Sequence, residues 1–538
     1  MNRSARPSRR AIAITTATAT ALALAVLPAS AALAASPVVK CDNRNNNTIS
    51  KLTECVTADG VKEHLAAFQA IATANGGNRA ANTAGYEASV DYVAETLTAA
   101  GWEVSIELFD YFLTGPSELE QLTPTAATFE SEAPQGTGSG EVIGNVIPVD
   151  LVLEPPRAPV TSGCEASDFI GLDFTGLDDI ALVQRGTCEF GVKAANAQTA
   201  GAEAVVIMNQ GNDAPGDRFG VLTNITLIGE NPDPLRIPVV GTSFDAGVAL
   251  AQLGSTARVF VPEPVNFPQE NVIAELPGEN DDNVVMAGAH LDSVPEGPGI
   301  NDNGSGSAAL LELAENLSKL KPQNTIRLAW WGAEEEGLIG STQYVENLSP
   351  EEQERIALYL NFDMIASPNY IFMVYDGDES SFPAPVVVPP GSIEIEDLFE
   401  RYFTSVGEPY DDAEFSGRSD YEAFINAGIA AGGLFTGAEE IKTEEQQAIW
   451  DGTAGEQFDP CYHDTCDTIA NINDHALEVN SDAIALAVLA YSYSTELVNG
   501  VVGKSVPGGL NLPDPAGPEG TFTDGDGGLS HDHLLNAH

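Results

Sequence analysis

The sequence predicts an α/β fold of three layers, a mostly parallel central sheet flanked by helices, with a second, β-rich module inserted into it. Three observations carry this expectation. Between residues 271 and 364, apolar strand-like runs alternate with helical patterns. Each of these strands runs out into a histidine or a carboxylate, at the end of the sheet where an open α/β fold forms its ligand crevice. A Pro/Gly/Thr-rich stretch reaching to about Gly140 then separates an amphipathic helix, GYEASVDYVAETLTAAGW, from a further set of short apolar strands.

The first strand of the main module, Val284 to Ala289, delivers His290 at its carboxyl end. Twelve residues on, Asp302 stands at the mouth of a helix with leucines at Leu310, Leu313 and Leu317, and Gly304 and Gly306 allow the tight entry. Asp292 is placed to accept the second imidazole N–H of His290 and so set the tautomer, as metal-bound histidines require. The next strand, Ile326 to Trp331, leads into Glu334, Glu335 and Glu336. Acids are ordinary at a helix N-terminus. Three adjacent carboxylates nevertheless repel one another, and a cation between them relieves that cost.

A third strand, Leu358 to Phe362, ends at Asp363, a position that turn and cap residues also take. The fourth station is FDPCYHDTCDT, in which Cys461 and Cys466 bracket Tyr462 and His463; a disulfide there would hold both side chains on a small loop. Together these stations supply a hard nitrogen and oxygen donor set that suits two zinc ions. No thiolate is among the donors, and water needs an open position, so the pattern points to a catalytic site.

HLDSV, GPGINDNGSG, WWGAEEEGLIGS, LNFDMIASPN, SGRSDYEAF and FDPCYHDTCDT resemble the co-catalytic di-zinc aminopeptidases, specifically secreted bacterial enzymes of the aminopeptidase S and aminopeptidase Y type. NGGNRAANTAGYEASVDYVAETLTAAGW extends the likeness toward the N-terminus. The resemblance implies a three-layer zinc-peptidase domain in which Asp302 bridges two zinc ions. His290 and Asp363 would complete one ion, and Glu335 and His463 the other. Glu334 would be the general base, Tyr462 and Arg418 would face the substrate carbonyl and its oxyanion, and Glu334 with Asp363 would read the free amine. A strained or cis peptide after Asp302 is a further implication. Some secreted relatives hold a structural calcium where Glu478 and Asp482 lie one helical turn apart; here Cys55 and Val56 stand where another carboxylate would help.

A cluster of carboxylates prefers the ammonium end of a peptide, so the expected partners are peptide or protein N-termini. Between Val265 and Gly500 the only arginines are Arg327, Arg355, Arg401 and Arg418, too few for a pocket built for acidic side chains. The expected first residue is therefore uncharged and apolar. A zinc carboxypeptidase would instead attack N-acetylated peptides, and a glutaminyl cyclase-like enzyme on the same scaffold would work with one zinc. A non-catalytic binding protein, with the inserted module as its working part, would not need the complete donor set.

Residues 1–35 have the layout of a secretory signal: Arg3, Arg6, Arg9 and Arg10, an apolar stretch, then ASAALAAS with cleavage near Ala35. Loss of four arginines and no acids takes the formal charge from −56 to −60. Such a charge argues against nucleic acid or anionic membranes as partners. A secreted, extracellular monomer is expected. Six cysteines in an exported chain suggest disulfides, and of the fifteen pairings proximity favours Cys41 with Cys55, Cys164 with Cys188, and Cys461 with Cys466.

The expected organisation is a peptidase domain split into residues 36–115 and 266–500, interrupted at 116–265. The insertion carries CEASDFIGLDFTGLDDIALVQRGTCEFGVKAANAQTAGAEAVVIMNQG and resembles a protease-associated domain. Residues 501–538, rich in Gly, Pro and Asp, read as a disordered or loosely attached tail; solvation is the better reading of its His531, His533 and His538 than metal binding.

Overall fold

The computed structural model describes residues 41, 44–212, 218–223, 225–227 and 235–522. The expected signal at 1–35 and the histidines of the tail lie outside the described residues. No helix among the described residues is long and apolar enough to cross a membrane.

The central sheet has eight strands in the order Glu103–Phe109, Gln269–Leu276, Asn324–Trp331, Asn280–His290, Ile356–Phe362, Ala431–Phe435, Met373–Tyr375 and Asp411–Ala413. Pairing is parallel through the middle four strands and antiparallel where Gln269–Leu276 and Met373–Tyr375 join them. The strands Asn324–Trp331 and Ile356–Phe362 are buried along their whole length. This is why they read as continuous apolar runs rather than alternating ones. Trp330 and Trp331 are wholly enclosed, and helices Gly304–Leu317 and Asp474–Tyr493 bury leucine-rich faces in the same core.

Local sequence sets the helix ends. Thr83 caps helix Ala84–Ala100, its side chain accepting the Tyr86 N–H, and Gly101 ends it at φ 92°, where a left-handed residue suits glycine. Asn303 caps Gly304–Leu317 by accepting from the Gly306 N–H. At Gly306 a Cβ would stand 2.1 Å from the Phe362 carbonyl oxygen, so only glycine lets this helix start approach the strand that ends at Asp363.

The second sheet begins at Glu118 and ends at Val261, in the order Ala127–Phe129, Glu118–Thr123, Thr256–Val261, Gly140–Pro148, Asp179–Gln184, Ala204–Met208, Val239–Thr242 and Ser131–Glu132. Its strands from Gly140–Pro148 to Val239–Thr242 run parallel, with helices Phe190–Ala200 and Phe244–Leu250 packed on it. All three disulfides favoured by proximity form.

The expectation of a loose tail is corrected for residues 501–522. Asp411 accepts hydrogen bonds from the backbone N–H groups of Gly520, Thr521 and Phe522 at 2.8–2.9 Å, the Tyr410 hydroxyl accepts from Gly517 N–H, and Val506 is buried. Composition missed this because the segment is held by backbone N–H groups and by a few scattered apolar side chains, Val506, Leu512 and Phe522, too sparse to read as a core-forming run.

Candidate active site

The parallel strands bring their carboxyl ends together, and all five expected metal ligands meet there. His290 Nε2 lies 3.2 Å from Asp302 Oδ1 and 3.3 Å from Asp363 Oδ1. His463 Nε2 lies 3.3 Å from Asp302 Oδ2 and 3.0 Å from Glu335 Oε2. The two oxygens of one aspartate thus face two different histidines, each beside its own further carboxylate. Glu334 Oε2 reaches to 3.9 Å from His290 Nε2, and the peptide after Asp302 is cis.

These donors fit a metal centre better than a hydrogen-bonded network. A histidine Nε2 carries at most one proton, yet each here confronts at least two carboxylates. Glu335 Oε1 and Asp363 Oδ1 are buried and meet no hydrogen-bond donor. Buried carboxylates left in that condition are costly unless a cation joins them. Burial pushes Glu334 well above the usual carboxylate range, opposed by His290 and reinforced by Asp363. Burial and Asp302 push Glu335 up to about 7. Burial opposes the charged form of His463, but Glu335 and Asp302 outweigh it and raise the ring to about 10.

Asp292 does not bond as expected. Its Oδ1 is 3.7 Å from His290 Nδ1, too long for a hydrogen bond. Its two oxygens instead accept the backbone N–H groups of Glu334 at 3.3 Å and Glu335 at 3.2 Å. Asp292 therefore ties the end of the histidine strand to the glutamate turn. The inserted module touches the same turn, where Gln135 Nε2 donates to the Glu336 carbonyl at 3.1 Å.

Tyr462 and Arg418 stand beside the ligands. Arg418 donates to the Tyr462 hydroxyl at 3.2 Å and is held by Glu439 Oε1 at 2.8 Å. The Tyr462 ring stacks on His463 with centroids 3.8 Å apart.

Several positioning residues escaped the sequence reading. Ser419 donates to Asp363 Oδ2 at 2.7 Å and accepts from Asn361 Nδ2 at 2.8 Å. Asp467 accepts the backbone N–H groups of Asn301 and Asp302 at 2.8 and 3.0 Å, fixing the backbone that carries Asp302. Arg79 is wholly buried and donates to the carbonyls of Leu291, Pro298 and Gly299, clamping the loop between His290 and Asp302; burial lowers it to about 10. All three lie inside motifs already singled out, in SGRSDYEAF, FDPCYHDTCDT and NGGNRAANTAGYEASVDYVAETLTAAGW, and membership of those motifs was the available signal.

Comparison with known proteins identifies the family. Residues 271–488 match the model of peptidase family M28, and residues 148–250 match the PA domain. An aminopeptidase of Pseudomonas aeruginosa (strain UCBPP-PA14) is 50% identical over 457 residues, covering 83% of each chain. Leucine aminopeptidase 2 of Trichophyton equinum is 45% identical over 352 residues, 64% of this chain and 68% of the fungal one. The solved structure of BSAP, a zinc aminopeptidase from Bacillus subtilis, superposes with a TM-score of 0.56 at 26% identity, covering 80% of this chain and 94% of that one. The chain belongs to peptidase family M28, as an aminopeptidase with an inserted PA domain.

Proposed function

We propose that this zinc aminopeptidase holds two zinc ions and removes an uncharged, apolar first residue from peptides. One ion would be held by His290, Asp302 and Asp363, the other by Asp302, Glu335 and His463. The single observation that carries the reading is the division of Asp302, whose Oδ1 faces His290 and whose Oδ2 faces His463. The leucine aminopeptidase name of the fungal relative supports the apolar preference.

Bound zinc supplies a Lewis acid for the scissile carbonyl and lowers the pKa of the attacking water toward neutrality. Glu334 takes the proton of that water and returns it to the leaving amine as the C–N bond breaks. Its enclosure, which favours the protonated carboxyl, suits the second half of this shuttle. The Tyr462 hydroxyl donates to the oxyanion that forms on the substrate, and Arg418, anchored by Glu439, orients that hydroxyl. The substrate ammonium meets Glu334 and Asp363, which is why an N-acetylated peptide is refused.

Three disulfides indicate an exported protein; release into the medium as a monomer is part of the proposal. The test is Glu334→Gln. It is expected to retain two zinc ions per chain while kcat falls by roughly 10²–10⁴. Undiminished hydrolysis removes Glu334 as the base, and one zinc per wild-type chain removes the two-ion site.

A further inference from the structure

A second group of carboxylates, none of them a proposed zinc ligand, gathers at the far edge of the central sheet. Asp376 and Asp378 follow strand Met373–Tyr375, Glu396 and Glu400 stand one turn apart on helix Gly391–Val406, and Asp412 lies in the edge strand Asp411–Ala413. One oxygen from each of Asp376, Asp378 and Glu396 falls within 4.8 Å of the others, and the same holds for Glu396, Glu400 and Asp412. Glu396 is common to both sets. Four of the five are buried, with Asp412 1% exposed.

Hydrogen bonds satisfy only part of this charge. Asp376 accepts from the N–H groups of Ser380, Ser381 and Phe382, Glu396 Oε2 from those of Gly377 and Asp378, and Asp412 Oδ2 from the Ser381 hydroxyl. Asp412 Oδ1 is left buried with no partner. No basic side chain among the described residues pairs with any of the five; Arg401, adjacent to Glu400, turns to Asp514 instead. Burial, with the neighbouring negative charges, pushes Glu396 up to about 9 and Glu400 to about 7.

We propose that this cluster is a calcium site, centred on Glu396 and completed by Glu400, Asp412, Asp376 and Asp378, that locks the edge strand to the helix and to the loop 376–382. The donors are all oxygen, which excludes a soft-metal preference. Their number and irregular placement suit calcium, which accepts six to eight oxygens in flexible geometry, better than magnesium, which demands a near-ideal octahedron. An aspartate oxygen buried without a donor is the group such an ion would satisfy.

The test uses the full zinc-loaded chain, freed of calcium by a calcium-selective chelator, with retained zinc verified by metal analysis. Calcium alone is the probe. Wild type is expected to bind it in equilibrium dialysis and to gain roughly 3–5 °C in unfolding temperature at a hundredfold excess over the dissociation constant. Asp412→Asn and Glu400→Gln should lose that gain, whereas Glu478→Gln with Asp482→Asn should keep it. The sign of the variant effect is a second readout: without calcium, removing one repelling charge should make either single variant more stable than wild type, and calcium should reverse the order. Glu400→Gln suffices if Asp412→Asn does not fold. Absence of calcium binding to wild type at millimolar concentration, or a gain unchanged in a folded single variant, overturns the proposal. So does a gain abolished by the Glu478 and Asp482 changes alone.

Discussion

The two eight-stranded sheets of this chain are built alike in their middles and differ at their strand ends. In both, parallel apolar strands are covered by helices. In the inserted sheet the strand Asp179–Gln184 ends at Gln184, whose amide accepts from Val152 N–H and donates to the carbonyls of Val152 and Gln210. The neighbouring strand Ala204–Met208 runs into Asn209, whose amide donates to Gly220. These neutral groups are consumed by the backbone around them. In the peptidase sheet the equivalent ends carry His290, Glu334, Glu335 and Asp363, more charge than the surrounding donors can satisfy. Among the described residues, every group of three metal-competent side chains lies outside the PA sheet. Chemistry therefore follows not from the α/β architecture but from the excess of charge over hydrogen-bond donors at its strand ends.

That contrast can be broken most severely at Asp302. Asp302→Asn should lower kcat/KM at least about a thousandfold and reduce zinc content at both positions, because one side chain serves both ions. Loss of only one zinc, read by metal analysis, would contradict its division between the two histidines. Chelation of the wild type should likewise abolish hydrolysis, and zinc add-back should restore it.

The inserted sheet should show the opposite dependence. Leu182 is fully buried there, and Leu182→Ala is expected to cost about 2–5 kcal/mol of stability in denaturant unfolding while leaving kcat of the folded fraction unchanged. A comparable loss of kcat would mean that the module acts directly on the glutamate turn, through contacts such as Gln135 to Glu336.

Smaller effects sharpen the comparison. Ser419→Ala removes the donor to Asp363 and should reduce zinc affinity or kcat by about 10- to 100-fold. Lys193, buried in the inserted sheet's core with its ammonium on the Ser162 carbonyl, is lowered to about 8 by burial. Its folded pKa lies below its unfolded one, so wild-type stability should rise as pH increases from about 8 to the ordinary lysine value of 10.5, and fall as pH is lowered through that window. Lys193→Met should flatten this slope in pH-dependent thermal unfolding.

The expected donors His290, Glu335 and Asp363 were legible because an apolar strand runs out into each, whereas Asp302, at a helix mouth, and His463, on the loop between Cys461 and Cys466, were picked out with the motifs that carry the family resemblance. Asp292 was legible as a partner of the site but not in its bonding, since the turn it supports is 42 residues away. Asp467 sits beside a recognised cysteine and yet contacts Asp302 across 165 residues, through a backbone N–H that every residue possesses. Ser419, next to the expected Arg418, and Arg79, in a motif noted for its likeness alone, escaped because their partners, Asp363 for the one and the carbonyls of Leu291, Pro298 and Gly299 for the other, lie far off in sequence.

The order of apolar runs, the acidic and histidine residues that end them, and the paired cysteines are properties of the chain itself, and they were enough to define the sheet, the donor set and the cross-links. The tertiary structure decided which backbone groups and side chains hold the expected donors, how residues 501–522 are anchored, and where a second group of carboxylates converges. Those outcomes depend on distances between segments remote in sequence, which only the closing of the sheet and the packing of its helices bring within a few ångströms.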